Sequence, residues 1–306
     1  METAWLEDFI AVVQEGAFSR AAEKRAVSQP AFSRRIGSLE QWIGTSLFDR
    51  STHSIRLTSA GERFLPFAEE VLRRIQIGRA EALSVGKAAL ATLRFASTHV
   101  LSLTFFPAWL RTLGSSIPST TIQLTADNMV ACERLMIEGR AQFLLCHHHP
   151  AAPTKLVEAF RSIKLGTDVL LPVCAPATAA TASTESPYLG YTTESGMGRI
   201  LNAAWSAAGK ATPHKSVFSS HLASVLAAMA RDGRGRAWLP LSLVKDDLST
   251  GRLERIGTDE DEVAIEIHLF RPKALQNQAA EALWEKISAL NAAQQPHKVN
   301  LKPILT

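Results

Sequence analysis

The sequence predicts an α/β chain in two parts, a helical N-terminal segment over residues 1–88 and a larger remainder in which strands and helices alternate. Three observations predict it. Apolar residues recur every third or fourth position through the first part, punctuated by Gly16 and Ser28. Beyond Gly86, short β-rich runs alternate with amphipathic ones, the pattern of a mainly parallel sheet. A length of 306 residues also exceeds one ordinary core, so two or three domains are expected.

Apolar content of 46% and charged content of 20% fit a folded globular chain. The net charge of +4 is unevenly placed: residues 16–58 hold seven Lys/Arg against three Asp/Glu. METAWLEDF has no basic segment leading into an apolar one, and no apolar run approaches the ~20 residues of a membrane helix, so a cytoplasmic protein with no membrane partner is expected. Cys132, Cys146 and Cys174 form no C-x-x-C pair, which leaves buried thiols or a redox switch as their readings.

Trp5, Leu6, Phe9, Ile10 and Val13 mark a first helix closed by Gly16. A short second helix follows Ser19, an N-cap type, and a third begins at Ser28 with Pro30 in its first turn. Two short helices joined by a tight turn form a helix-turn-helix. On the third helix Phe32, Ile36, Leu39 and Ile43 make the buried stripe, while Ser28 and Gln29 project from the tip with the free backbone N–H groups. Such a tip suits phosphates and base edges; taken alone it equally suits a solvated helix face.

Leu47-Phe48 and Ile55-Arg56-Leu57 predict two short strands around a turn holding Arg50 and His53, a wing able to follow a nucleic-acid backbone. Ser59 and Glu62 form a capping box for a helix running to about residue 87. Phe64, Ala68, Val71, Ile75, Gly78, Ala82 and Val85 along it are spaced as a heptad seam, which predicts self-pairing, and Pro66 interrupts one backbone bond. Paired helices beside a winged helix-turn-helix set two recognition helices at a fixed separation.

The stretch from Trp5 to Phe67, with FSRAAEKRAVSQPAFSRRIGSLEQWIGTSLFDR and LTSAGERFLP, resembles the DNA-binding region of LysR-type transcriptional regulators. The resemblance implies a regulator of promoter or operator DNA that works as a homodimer or homotetramer. It also implies Ser28, Gln29, Pro30, Ser33 and Arg34 as groove and phosphate contacts and Arg50 in the wing, with His53 where many members carry a second basic residue. RNA polymerase joins the expected partners.

In the remainder, Leu93–Ser97, Ile122–Ala126 and Gln142–Cys146 read as strands, with helices at Leu101–Leu113 and Met129–Glu138. A second unit after HHHPAAP shows Val169–Cys174, a helix at Arg199–Ala208, a strand near Val217, a helix at Leu222–Arg231 and a strand at Ala237–Leu239. The strand Val263–Phe270 and the helix Gln278–Leu290 return to the first. This divides the chain into a winged helix-turn-helix at 1–58, a linker helix at 59–88, and a ligand-binding part at 89–306. That last part has one Rossmann-like lobe at about 90–162 with 268–306 and another at about 163–267. The resemblance implies two lobes like those of a periplasmic binding protein, with a small-molecule effector held between them.

Candidate effector contacts stand where strands end and helices begin. STHVLS supplies Ser97, Thr98, His99 and Ser102; TESGMGR supplies Ser195, Gly196 and Met197; SSHLAS supplies Ser220 and His221. The same residues serve equally as routine helix caps. His147 completes the set, from the triplet His147-His148-His149. Consecutive strand residues face opposite ways, so the triplet is assigned to a hydrogen-bonded cluster at the cleft mouth rather than to a metal, and no cofactor is expected.

Within the family the effector half is most similar to the hypochlorite-responsive branch, through ASTHVLSLTFFP, GMGRILN and FSSHLASVLAAMARDGRGRAWLP. That likeness implies an oxidant among the possible signals, with Met197 as a thioether open to oxidation. The chain has only five methionines, and His221 and Leu113 stand where the branch would offer others. The competing reading is a solute-binding or enzymatic α/β domain with an accessory dimerisation module. Against an enzyme, no glycine-rich nucleotide loop, nucleophile elbow or H-E-x-x-H pattern appears.

Overall fold

The computed structural model describes residues 2–49, 55–85, 92–114, 121–179, 187–210 and 216–294. They form two compact units, one built on the N-terminal helices and the other on the strands and helices from Thr92 onward.

The first unit opens with α1 (Thr3–Glu15), α2 (Phe18–Lys24) and α3 (Gln29–Ile43). Helix α2 begins one residue before Ser19, with Ala17 at its N-cap, because the Phe18 side chain belongs to the core cluster that seats the helix. Leu6, Phe9, Val12, Ala21, Ala22, Phe32, Ile36 and Leu39 are buried together, and Ile43 packs at the edge. Phe9, Phe48, Phe18 and Phe32 form a chain of tilted and edge-on ring contacts through this core. The strands β1 (Phe48–Asp49) and β2 (Arg56–Leu57) pair antiparallel.

Helix α4 (Ser59–Val85) carries Pro66 within its first turns. Its cap is Thr58, not Ser59: the Thr58 Oγ1 accepts the Gly61 N–H at 3.1 Å and donates to the Ser46 carbonyl at 2.7 Å. That second bond ties the helix start to the turn that precedes β1, which a capping box on Ser59 would not do. The heptad seam divides. Phe64 and Ala68 face the unit's own core, while Val71, Ile75 and Gly78 are exposed; the side chains of Ala82 and Val85 lie outside the described residues. Phe67, 68% exposed, extends the outward stripe in place of Phe64.

The second unit contains β3 (Thr92–Thr98), α5 (His99–Thr104), α6 (Phe106–Leu113), β4 (Thr121–Asp127), α7 (Met129–Ile137), β5 (Phe143–His148) and β6 (Phe160–Cys174). These are followed by α8 (Pro176–Ala179), β7 (Tyr188–Tyr191), α9 (Gly196–Ala207), β8 (Ser216–Ser220), α10 (Ala223–Arg231) and β9 (Ala237–Pro240). The last elements are α11 (Leu241–Ser249), β10 (Glu254–Arg255), β11 (Val263–Pro272) and α12 (Gln278–Gln294). The seven-stranded sheet runs β10-β6-β11-β5-β3-β4, with β9 also on β6. It is mixed rather than mainly parallel: β3 pairs parallel with β4 and β5, and the pairs made by β6 and β11 are all antiparallel. The smaller β7-β8 sheet is parallel.

Strands β6 and β11 explain the departure. They pair along the whole of β11, from Phe160↔Pro272 to Leu170↔Val263, and carry the chain from one lobe into the other. At one end β11 pairs with β5, and at the other β6 pairs with β9 and β10. One core gathers Phe95, Phe106, Phe143, Leu145, Ile267, Leu269 and Trp284 around the β5 end. Others gather Val173, Leu189, Leu226 and Leu239, and Met197, Ile200, Trp205 and Trp238, around the β9 end.

Candidate ligand cleft and nucleic-acid interface

Helix α3 presents its tip as its sequence dictates. Ser28, Gln29, Pro30 and Arg34 are exposed and Ser33 is half-buried, while Phe32, Ile36 and Leu39 are fully buried. The other basic residues of this region are engaged within the unit. Asp8 of α1, buried completely, accepts from Arg25 Nε at 2.9 Å and meets Arg35 at 3.4 Å. Arg25 also pairs with Glu7, and Lys24 with Glu15. Burial lowers the Arg25 pKa, but its bonds to Asp8 and Glu7 outweigh that and hold it above the ordinary value. These pairs lock α1, α2 and α3 together, while Arg34 is exposed on α3 and takes no part in them. Arg50 and His53 lie outside the described residues.

In the second unit a cleft is lined by Thr98, His99 and Val100, by Asp127, Asn128 and Met129, by His147, by Ser195, Gly196 and Met197, and by His221 and Ala223. Every lining segment lies at a strand end or a helix start, which places the first turns of α5, α7, α9 and α10, where backbone N–H groups are free of helical partners, at its edge. Its cavity of about 30 Å³ matches one water or a small ion. The expected residues Thr98, His99, His147, Ser195, Gly196, Met197 and His221 thus meet at one place.

Three expected residues do not reach it. Ser97 is fully buried and donates to the Thr98 carbonyl at 3.1 Å; Ser102 donates to the His99 carbonyl at 2.7 Å inside α5; Ser220 accepts the Leu222 N–H at 3.1 Å. These are local turn and helix bonds. Sequence reasoning missed Asp127, Asn128 and Met129, although TADNM is another strand end leading into a helix, with Asn128 Oδ1 accepting the Ala131 N–H at 3.0 Å. Gly196 permits the close approach of α9 to α7, since a Cβ there would stand 3.2 Å from the Met129 Cβ.

The cleft holds polar atoms without protein partners. His147 is 6% exposed; neither of its ring nitrogens, nor the Thr98 Oγ1, makes a hydrogen bond among the described residues. His147 Nε2 stands 3.5 Å from Asp168 Oδ2, an electrostatic contact beyond hydrogen-bond range, while Asp168 Oδ1 accepts from Val169 N at 2.8 Å and Ser242 N at 3.2 Å. Burial raises the Asp168 pKa, but His147 and these donors outweigh it and hold the carboxyl below its ordinary value. His99 and His221 face each other with ring centroids 5.7 Å apart. Burial, then the neighbouring His221, holds His99 below the usual histidine range against the pull of Asp127. A buried polar surface of this kind favours an acceptor-rich ligand over an apolar one.

One ion pair spans the cleft wall. Arg199 of α9 donates to both oxygens of Glu133 on α7 at 2.9 Å, and Glu133, fully buried, also accepts from Thr154 Oγ1 and Lys155 N. Of groups able to hold a metal among the described residues, His148, Glu266 and His268 bring three ligand atoms within 4.8 Å of one another. No helix among the described residues is long and apolar enough to cross a membrane.

Residues 3–62 match the bacterial regulatory helix-turn-helix protein of the lysR family, and residues 88–291 match the LysR substrate binding domain. The HTH-type transcriptional regulator YjiE of Escherichia coli (strain K12) is 31% identical over 296 residues, 95% of each chain. The full-length structure of HypT from Salmonella typhimurium, a hypochlorite-specific LysR-type regulator, aligns with a TM-score of 0.53 at 29% identity, covering 96% of this chain and 99% of that one. The bromide-bound regulatory domain of HypT aligns with a TM-score of 0.55 at 26% identity, covering 68% of this chain and 98% of that one. The chain belongs to the LysR family of DNA-binding transcriptional regulators, with an N-terminal helix-turn-helix and a two-lobed α/β effector-binding domain, and not to a family of enzymes.

Proposed function

We propose that this regulator belongs with the hypochlorite-responsive branch and that its cleft takes a small inorganic anion or oxidant. The observation that carries the reading is the small cavity in which His147 and Thr98 present unpartnered polar atoms beside the starts of α7, α9 and α10. Bromide in the HypT regulatory domain supports the same ligand class. Met197, 8% exposed, packs with Leu170, Ile200 and Trp238 while lining the cleft, so transfer of an oxygen atom from hypochlorite to its sulfur, releasing chloride, would set a polar group into an apolar cluster.

On the DNA side, the proposed contacts are Ser28, Gln29, Pro30, Ser33 and Arg34, with Arg50 and His53 in the wing. Self-pairing of the chain as a dimer, or a tetramer built from dimers, uses the outward stripe Phe67, Val71, Ile75 and Gly78. RNA polymerase is the further proposed partner on promoter DNA. The proposed division is 1–58, 59–88 and 89–306, with the lobes exchanging inside β6 and β11. The test is the thermal stability of the full chain against chloride, bromide, formate and hypochlorite, and against larger organic acids such as benzoate. Stabilisation by the halides, reduced in His147→Ala, is expected by mass action. Stabilisation only by larger organic acids would sink the small-anion reading.

A further inference from the structure

Residues His148, Glu266 and His268 stand on the face of the sheet opposite His147. Alternation along β11 puts Glu266 and His268 on one face and the buried Ile265, Ile267 and Leu269 on the other, and antiparallel pairing sets His148 directly across from Glu266. Two ligands at i and i+2 on one strand, with a third facing the first from the antiparallel neighbour, give a three-point cap over one spot. A four-coordinate ion with bonds of about 2.0–2.1 Å needs ligand atoms about 3.3 Å apart. Here Glu266 Oε2 is 2.8 Å from His268 Nε2 and 3.9 Å from His148 Nδ1.

The surroundings are those of a supported ligand set. His268 turns its other nitrogen, Nδ1, to the Ser162 Oγ at 3.1 Å, and Lys164 Nζ holds the other Glu266 oxygen at 2.5 Å. Such outer partners orient imidazole and carboxylate ligands toward an ion. His148 Nδ1 is buried and makes no hydrogen bond among the described residues, with Glu266 Oε2 3.9 Å away. The His148 and His268 rings stack at 4.4 Å with 28° between their planes, so an ion shared by both requires one ring to turn about its soft Cβ–Cγ torsion. Side-chain exposures of 26%, 32% and 13% leave an entry path.

We propose that His148 Nδ1, His268 Nε2 and Glu266 Oε2 form a binding site for one divalent transition-metal ion of the zinc class, separate from the effector cleft and joining β5 to β11 beside the lobe crossover. Two imidazoles and one carboxylate select zinc, copper or nickel over magnesium and calcium, and leave the fourth position open. Lys164 is the built-in opponent: its charge repels the ion, while its bond steers the carboxylate.

The experiment is calorimetric titration of chelator-stripped full-length protein with zinc sulfate, with magnesium sulfate as a control. One zinc per chain and no magnesium binding are expected. H148Q and H268Q each weaken zinc binding at least tenfold, and S162A, which keeps all three ligands, weakens it about tenfold. K164M tightens it, a change that a purely structural role for Lys164 would not produce; H99Q and H221Q leave it unchanged. If H148Q or H268Q lose their circular dichroism signal, S162A and K164M decide. A wild-type chain that binds no zinc overturns the proposal. So does binding indifferent to H268Q, or binding lost in H99Q or H221Q.

Discussion

At the residue scale, the N-terminal unit separates charges that hold the fold from charges that face solvent. Arg25 and Arg35 converge on the buried Asp8, whereas Arg34, one residue away on α3, points outward. Replacing Gln29 or Arg34 with Ala should each weaken binding to the specific site by about ten- to a hundredfold at fixed salt, the cost of about 1–3 kcal/mol for a lost base contact. Gel shift with specific and random duplexes checks this; equal losses on both would mark the residue as a phosphate contact. Arg199→Met removes the cation facing a fully buried Glu133 and should cost about 3 kcal/mol of stability in denaturant unfolding, with a smaller cost when Glu133→Gln accompanies it. The strand-end-to-helix-start rule found Thr98, His99, Ser195 and His221 from sequence, because polar residues at those junctions are visible there. It failed for Ser97, Ser102 and Ser220, because the same hydroxyls satisfy nearby backbone groups, and only coordinates distinguish the two uses.

Among elements, the legible ones have a single uninterrupted pattern. Helix α3 and the parallel strands β3, β4 and β5 follow their apolar spacing. The first half of β6 did not show itself, because FRSIKLGT alternates around charged and glycine residues with one face open to solvent, and a bulge shifts its register against β11 between Ile267 and His268. Along α4 spacing alone does not say which apolar residues face the unit's own core: Phe64, a seam position by spacing, packs inward, and Phe67 stands exposed. Phe67→Asp together with Ile75→Asp should convert dimers to monomers in sedimentation equilibrium while leaving the helical signal intact. Gly61→Ala tests how α4 seats against β1: a Cβ there would lie 2.2 Å from the Leu47 carbonyl oxygen, so α4 and the segment leading into β1 must separate, at a cost of about 1–3 kcal/mol.

Over the whole molecule, the family pairs a helix-turn-helix with an effector-binding domain, and in this chain the two lobes of that domain are joined by two antiparallel strands. Helix α12 closes the β5 end through Arg271, which is fully buried and donates to both oxygens of Glu281 at 2.8 and 2.5 Å. The Arg271 hydrogen bonds hold the Glu281 carboxyl below its ordinary value against the opposing effect of burial. Because the folded pKa is the lower one, this contribution is full above the unfolded carboxylate value of about 4.3 and is lost as pH falls through the folded value. Unfolding midpoints from pH 7 to 3 should therefore fall more steeply for wild type than for Glu281→Gln, with the variant already less stable at pH 7.

The central claim is that an occupant of the His147 cleft changes how the α3 tip engages DNA. Its most direct measurement is the affinity of the full-length protein for the DNA upstream of its own gene, by fluorescence anisotropy at constant ionic strength, with and without bromide or a stoichiometric dose of hypochlorite. Wild type should shift severalfold with at least one of them, and His147→Ala combined with Met197→Leu should bind DNA normally without shifting. A wild-type affinity indifferent to both, or an equal shift in the double variant, would contradict the account.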